Sequence, residues 1–277
     1  MLPVRKRTFS NEPSLLSCKP ESVGKMYDVV TFDFLTGDFL IFVLIGFLAQ
    51  IVDGALGLAF GVLTTTSLLA IGVPPSVASA MTHVTECFTT AASGISHAYH
   101  RNVDWNLVKR LAPAGMIGGA IGAYLLANID GKVIEPFISV YLIVVGLYIL
   151  YKAFRPQWPR EVHDWIVPYV GGAGGMLDAM GGGGWGPIVT SSLLGRGHDA
   201  KKVIGSTNLT EFAVTLVISV TFILALGWSD LSAAIGLIVG GVLAAPFGAI
   251  ILARVSVKPL MIAVSMIIIG TAAVRLF

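Results

Sequence analysis

From Phe39 to the end of the chain, apolar segments succeed one another at about 39–56, 58–73, 76–98, 107–129, 133–153, 164–179, 184–195, 203–226, 230–252 and 257–276. A helix crosses the hydrocarbon of a bilayer with about 20 such residues, so this succession assigns the chain to the membrane and leaves no room for a soluble catalytic domain. The composition agrees: 55% of the 277 residues are hydrophobic, Lys+Arg number 18 and Asp+Glu 16, and the mean hydropathy is +0.82. We therefore expect an all-α integral membrane protein with no catalytic residues. Residues 1–38 are the one long polar stretch, a tail with Arg5, Lys6 and Arg7 followed by Pro13 and Pro20. No apolar core follows the basic cluster before Phe39, unlike a signal peptide. Cys18 and Cys87 have no partner or metal-ligand spacing, so neither a disulfide nor a metal is expected, and no cofactor is called for. A net charge of +2 is too small to point to nucleic acid.

Two segments are damaged. The run 164–195 is broken by Gly171, Gly172, Gly174, Gly175 and then Gly181 to Gly184, and the run 39–73 by Asp53, Gly54, Gly57 and Gly61. Sliding the chain on itself by 125 residues brings the breaks into register: Asp53 falls on Asp178, Gly57 on Gly182, Gly61 on Gly186, and Phe60 opposite Trp185. The match continues without a gap. Thr65, Ser67, Leu68 and Leu69 meet Thr190, Ser192, Leu193 and Leu194, Gly72 meets Gly197, and Thr82, Thr85 and Glu86 meet Thr207, Thr210 and Glu211. From Gly46 to Glu86, 12 of 41 positions are identical, more than composition bias supplies. The chain therefore divides into a tail (1–38), a first membrane repeat (39–154), a linker (155–163) and a second repeat (164–277), with about four to five membrane segments per repeat.

Loop charge orients the repeats. Loop 98–110 carries Arg101, Lys109 and Arg110, whereas its counterpart, Gly227 to Asp230, has no base. Conversely, the uncharged Gly72-Val73-Pro74-Pro75 loop corresponds to Gly195–Lys202, with Arg196, Lys201 and Lys202. Because basic loops stay on the cytoplasmic side, equivalent loops belong on opposite faces and the repeats are expected to be inverted. Lys152, Arg155 and Arg160 around the linker fall on the cytoplasmic side in this scheme.

In lipid every backbone N–H and C=O must be satisfied internally, so four consecutive glycines belong where the backbone lines an enclosed, water-accessible cavity. The expectation is a broken or re-entrant helix in each repeat. The half-helix beginning at Trp185-Gly186-Pro187, with Pro187 suited to its first turn, would point amides and a positive dipole end into the membrane interior, and its counterpart after Gly57 would do the same from the other face. Two such termini make a site for a small anion. Thr65, Thr82, Thr190, Thr207, Asn208 and His83 offer side-chain partners beside Gly61, Gly182, Gly183, Gly184 and Trp185. Each has a structural role open to it as well: hydroxyls bond back to their own helix, glycines pack helices closely, and His83 can be a packed core histidine. Glu86 and Glu211 are followed by more than a dozen mostly apolar residues, so they lie in the membrane, where an ionisable group is expensive and as a rule functional. We assign them to proton coupling or gating, together with Asp53 and Asp178, which could instead cap the half-helices.

The stretches VDGALGLAFG (52–61) and LDAMGGGGWG (177–186), followed by ASAMTH (78–83) and IGSTNLTEF (204–212), resemble the sulfite-exporter TauE/SafE family of membrane transporters over about residues 40–277. The family's glycine pattern falls on Gly57, Gly61, Gly182 to Gly184 and Gly186, and its threonine motif on Thr82, Thr207 and Asn208. His83 stands where a small hydroxyl residue is more typical. The resemblance implies an anion permease of the bacterial inner membrane that moves sulfite, sulfonates, sulfoacetate or related sulfur-containing anions. The expected function is accordingly a secondary transporter whose partners are a small sulfur anion, protons and the lipid bilayer. Two other readings stay open. A channel would use the same broken helices without coupling, and an intramembrane aspartyl protease would use Asp53 and Asp178 as a dyad.

Overall fold

In this computed structural model the described residues are 37–56, 59–154, 164–194, 200–227, 234–252 and 257–276. Among them there is no strand. The helices are α1 (Gly37–Leu56), α2 (Phe60–Ala70), α3 (Pro75–Tyr99), α4 (Trp105–Asn128), α5 (Gly131–Phe154), α6 (Val167–Gly181), α7 (Ser191–Leu194), α8 (Ala200–Leu226), α9 (Ala234–Leu252) and α10 (Val257–Leu276). A 3-10 turn, Asp164–Ile166, precedes α6, and a π-helical turn, Trp185–Thr190, runs into α7. All but the last two residues of the expected tail, the whole of the expected linker, Gly57 and Arg196 lie outside the described residues. The apolar segments and the helices agree one for one, and the local reasons are visible. Pro75 sits in the first turn of α3, where its missing N–H is no loss. Asp104 caps α4 by accepting from the amides of Asn106 (2.9 Å) and Leu107 (3.4 Å). The half-helix of the second repeat opens as a π-turn, and Pro187 within it has no N–H to give to an α-helical ladder.

Four of these helices, Trp105–Asn128, Gly131–Phe154, Lys201–Leu226 and Lys258–Leu276, are long and apolar enough to cross a membrane. The exterior is greasy in stripes of helical spacing: Leu40, Leu44 and Leu48 on α1, Val140, Val144, Leu147 and Tyr151 on α5, and Leu216, Val220 and Leu224 on α8 are all exposed. The interior holds Thr65, Ser79, Thr82, His83, Thr85, Glu86, Asp178, Thr207 and Thr210. This inversion of a soluble protein's plan suits lipid outside and a polar centre inside.

Helix contacts survive exchange of the two repeats. α1 packs on α9 as α6 packs on α4, α3 packs on α9 as α8 packs on α4, and α3 with α8 and α5 with α10 are self-paired across the molecule. Small residues permit the closest of these approaches. A Cβ on Gly240 of α9 would stand 2.0 Å from the Val43 carbonyl of α1, and one on Gly118 of α4 would stand 2.0 Å from the Gly172 carbonyl of α6. Without an aqueous hydrophobic effect to join them, helices in lipid associate through such tight backbone packing. Arg275 of α10 adds a polar tie, reaching the Glu135 carboxylate on α5 and the Leu69 carbonyl at the end of α2.

Candidate functional site

Each repeat bends its chain at an aspartate. Asp53, near the end of α1, accepts through Oδ1 the amides of Ala59 (2.8 Å) and Phe60 (3.1 Å), where α2 begins. Asp178 of α6 accepts through Oδ1 the amides of Gly184 (2.6 Å) and Trp185 (2.9 Å), where the π-turn begins. In both repeats the carboxyl serves amides six and seven residues further on, so the 125-residue repeat extends to the hydrogen bonds themselves. A carboxylate placed there satisfies amides that have no acceptor within their helix and complements the dipole. The leading amides of the half-helices are thus occupied by the protein's own acids, and Asp53 and Asp178 are caps. No hydrogen bond joins the two aspartates, as a shared-proton dyad would require.

The glycine run lets the breaks touch. Gly182 ends α6 in the left-handed region (φ 68°), and Gly183 follows at φ 145°. The Gly183 main chain then lies against the start of α2: a Cβ on it would be 2.2 Å from Val62 N and 2.3 Å from the Gly61 carbonyl carbon. Around this crossing lies a cavity of about 440 Å³. It is lined by nine of the residues expected at the site: Gly61, Gly183, Gly184, Trp185, Asn208, Asp53, Asp178, Glu86 and Glu211. Pairwise reach is short. A Cβ on Gly61 would stand 2.6 Å from Glu86 Oε1.

The other expected residues stand behind the cavity wall and brace it. Thr65 donates its hydroxyl to the Gly182 carbonyl and lies 2.9 Å, hydroxyl to hydroxyl, from Thr82, so these two threonines pin the left-handed glycine from below. Thr207 bonds back to the Val203 and Ile204 carbonyls (3.0 Å each), and its own carbonyl accepts Trp185 Nε1 (3.2 Å). Thr190 is buried in the π-turn. His83 is tied on both sides: Nδ1 donates to the Ser79 carbonyl (2.7 Å), and Nε2 lies 3.3 Å from Asp178 Oδ2. A carbonyl only accepts, so Nδ1 carries a proton, and the Nε2 contact needs a second proton shared between imidazole and carboxyl. His83, Glu86 and Asp178 each bring an oxygen or nitrogen within 4.8 Å of the others. With Nε2 turned to Asp178 and Asp178 Oδ1 holding two amides, Glu86 is the member of this trio with an open ligand atom: its Oε2 is buried and without a hydrogen-bond partner.

Sequence reasoning missed Tyr141 and one face of α3. The Tyr141 hydroxyl donates to the Gly183 carbonyl (3.2 Å), and its ring occupies the space left by the missing side chains of Gly181 and Gly184. Nothing in an apolar run marks such a tyrosine. Thr89, Thr90, Ser93 and His97 also line the cavity, and with Glu86 they recur at helical spacing, a stripe that periodicity alone could have found. Tyr141→Phe leaves the Gly183 carbonyl without this donor, and the expected result is a loss of about 1 kcal/mol of stability, read as a small drop in Tm of the purified protein. An unchanged Tm would remove Tyr141 from the bracing.

The sequence pattern of the sulfite exporter TauE/SafE family matches residues 42–275. The chain is 41% identical to a probable membrane transporter protein, YtnM, of Bacillus subtilis (strain 168) over 220 residues, 76% of this chain and 73% of the relative. It is 23% identical over 200 residues to a probable membrane transporter protein of Haemophilus influenzae (strain ATCC 51907 / DSM 11121 / KW20 / Rd), covering 69% of this chain and 75% of that one. No solved structure matches it. With a match spanning nearly all the helices and both glycine breaks, the chain belongs to the TauE/SafE family and is a multi-pass membrane transporter.

Proposed function

We propose that the protein is a secondary transporter that carries a small sulfur-containing anion, such as sulfite, a sulfonate or sulfoacetate, across the bacterial inner membrane, coupled to protons. The observation that carries this reading is the crossing of the two breaks inside one polar cavity. A site shared by two symmetry-related half-helices at the centre of a membrane protein is the arrangement on which alternating access operates, one repeat rocking against the other. The alternation of basic loops supports inverted repeats. With Ala59, Phe60, Gly184 and Trp185 amides held by the aspartates, the backbone next in line for an anionic head is that of Gly61 in one repeat and Gly186 in the other, and both residues line the cavity. Thr65, Thr82 and Thr207 act by holding this backbone. Glu86 and Glu211 are the proton-exchanging groups in this reading, facing the same space from α3 and α8.

Uptake of labelled sulfite into proteoliposomes under an imposed pH gradient tests it. Gradient-driven flux is expected to fall at least about tenfold, about 1.4 kcal/mol in the barrier, in both Glu86→Gln and Glu211→Gln. Flux in the unmodified protein that ignores the gradient and saturates only weakly would instead favour a channel. Flux that follows the gradient but survives both substitutions would move proton coupling to other residues.

A further inference from the structure

The cavity is acidic to a degree that a simple anion does not explain. Asp53, Glu86, Asp178 and Glu211 all line it, and no lysine or arginine does among the described residues. The two aspartates are absorbed by the half-helix amides and, for Asp178, by His83. The glutamates are not so employed. Glu86 is only 4% exposed, yet its Oε2 has no hydrogen-bond partner, and Gln50 Oε1, contributed to the same cavity by α1, has none either. Gln50 Oε1 is an acceptor, and so is Glu86 Oε2 when the carboxyl has released its proton. In that state a sulfite or sulfonate group, itself an acceptor with negative charge, can satisfy neither oxygen and meets repulsion from the carboxyls. An ammonium group carries three N–H donors and the opposite charge, and its hydrogen bonds to a carboxylate are of the strong, charge-assisted kind.

Resting on the reading of this cavity as the transport site, we propose that the solute is a small zwitterion, its acid head on the half-helix backbone at Gly61 and Gly186 and its primary ammonium on Glu86 and Gln50, with Glu211 as the second carboxylate facing it. The donors and acceptors of the cavity then match the two charged groups of the ligand. Donors of the half-helix termini meet the acid, and the orphaned acceptors of α1 and α3 meet the ammonium. Aminoalkanesulfonates and amino acids with a carboxylate head share this chemistry.

Four probes separate the cases, each tested for binding to the purified full-length chain and for counterflow in proteoliposomes: 2-aminoethanesulfonate, 3-aminopropanoate, 2-hydroxyethanesulfonate and sulfite. At least one of the two amino compounds is expected to bind at least about tenfold more tightly than 2-hydroxyethanesulfonate, which has a hydroxyl in place of the ammonium. Which amino compound is preferred distinguishes a sulfonate from a carboxylate head. In Glu86→Gln, and separately in Gln50→Leu, the ratio of amino to hydroxy affinities is expected to fall below about threefold. The ratio is read within each variant, so a general loss of affinity cancels. A hydroxy compound or sulfite bound as tightly as both amino compounds, or a preference that survives both substitutions, overturns the zwitterion while leaving the transport reading intact. If none of the four binds or moves, the reading of the cavity as the transport site falls with it.

Discussion

Gly183→Ala is expected to abolish transport and to leave little folded protein after extraction in detergent. The position is closed twice. Its φ of 145° lies where an L side chain is strained, at a cost of about 1–3 kcal/mol. A Cβ would also fall 2.2 Å from Val62 N and 2.3 Å from the Gly61 carbonyl carbon, main-chain atoms of the first turn of α2, so no flexible side-chain end can move aside. Relief requires the two breaks to separate, which opens the cavity and pulls the start of α2, with the Ala59 and Phe60 amides, away from the Asp53 carboxylate. Gly172→Ala is the control. Its Cβ would meet nothing closer than the Ala114 carbonyl at 3.5 Å, an ordinary contact, and alanine is favoured over glycine within a helix by about 0.8–1.0 kcal/mol. The pair is compared by size-exclusion profile and thermal melting of the purified proteins. A Gly183→Ala protein that melts and transports like the unmodified one would mean that the breaks do not touch.

Asp178 separates shape from charge. In Asp178→Ala the amides of Gly184 and Trp185 and the Nε2 of His83 lose their partner together, in a region closed to solvent. Each orphaned polar group costs about 1–3 kcal/mol, so a loss of about 3–9 kcal/mol is expected for the three, a large share of the stability of most domains. Asp178→Asn keeps an oxygen for the two amides and offers an N–H to a neutral His83 Nε2, so its melting temperature is expected to stay within a few degrees of the unmodified protein. The negative charge and the proton shared with His83 are gone in that variant. Equal melting of the alanine and unmodified proteins would show that the aspartate does not hold the break.

Where the two repeats match, the reason is stereochemical and could be read in advance. A chain that must bury every amide in lipid tolerates Gly181 to Gly184 only at a break, and an aspartate held at the same distance before each break belongs to that same break. Glu86 and Glu211 could be singled out because ionisable groups in hydrocarbon are expensive. Thr65, Thr82 and Thr207 could be placed beside the glycines but not oriented, and they turn out to grip carbonyls and one another behind the wall.

By itself the sequence determined the helices, their breaks, the duplication and the acids within the membrane, because segment length, glycine and charge act locally against a uniform apolar solvent. Tertiary structure alone decided which side of each helix faces the cavity. In water a polar face points outward and an apolar one inward, but here the lipid side and much of the packed interior are equally apolar. The exposed Leu216 and Val220 of α8 are chemically like the buried Val214 and Ile218 that alternate with them. Only the close approach of the repeats, through Gly46, Gly118, Gly175 and Gly240, sets those faces, brings Tyr141 onto the glycine run and leaves Gln50 and Glu86 turned into a shared cavity without a partner.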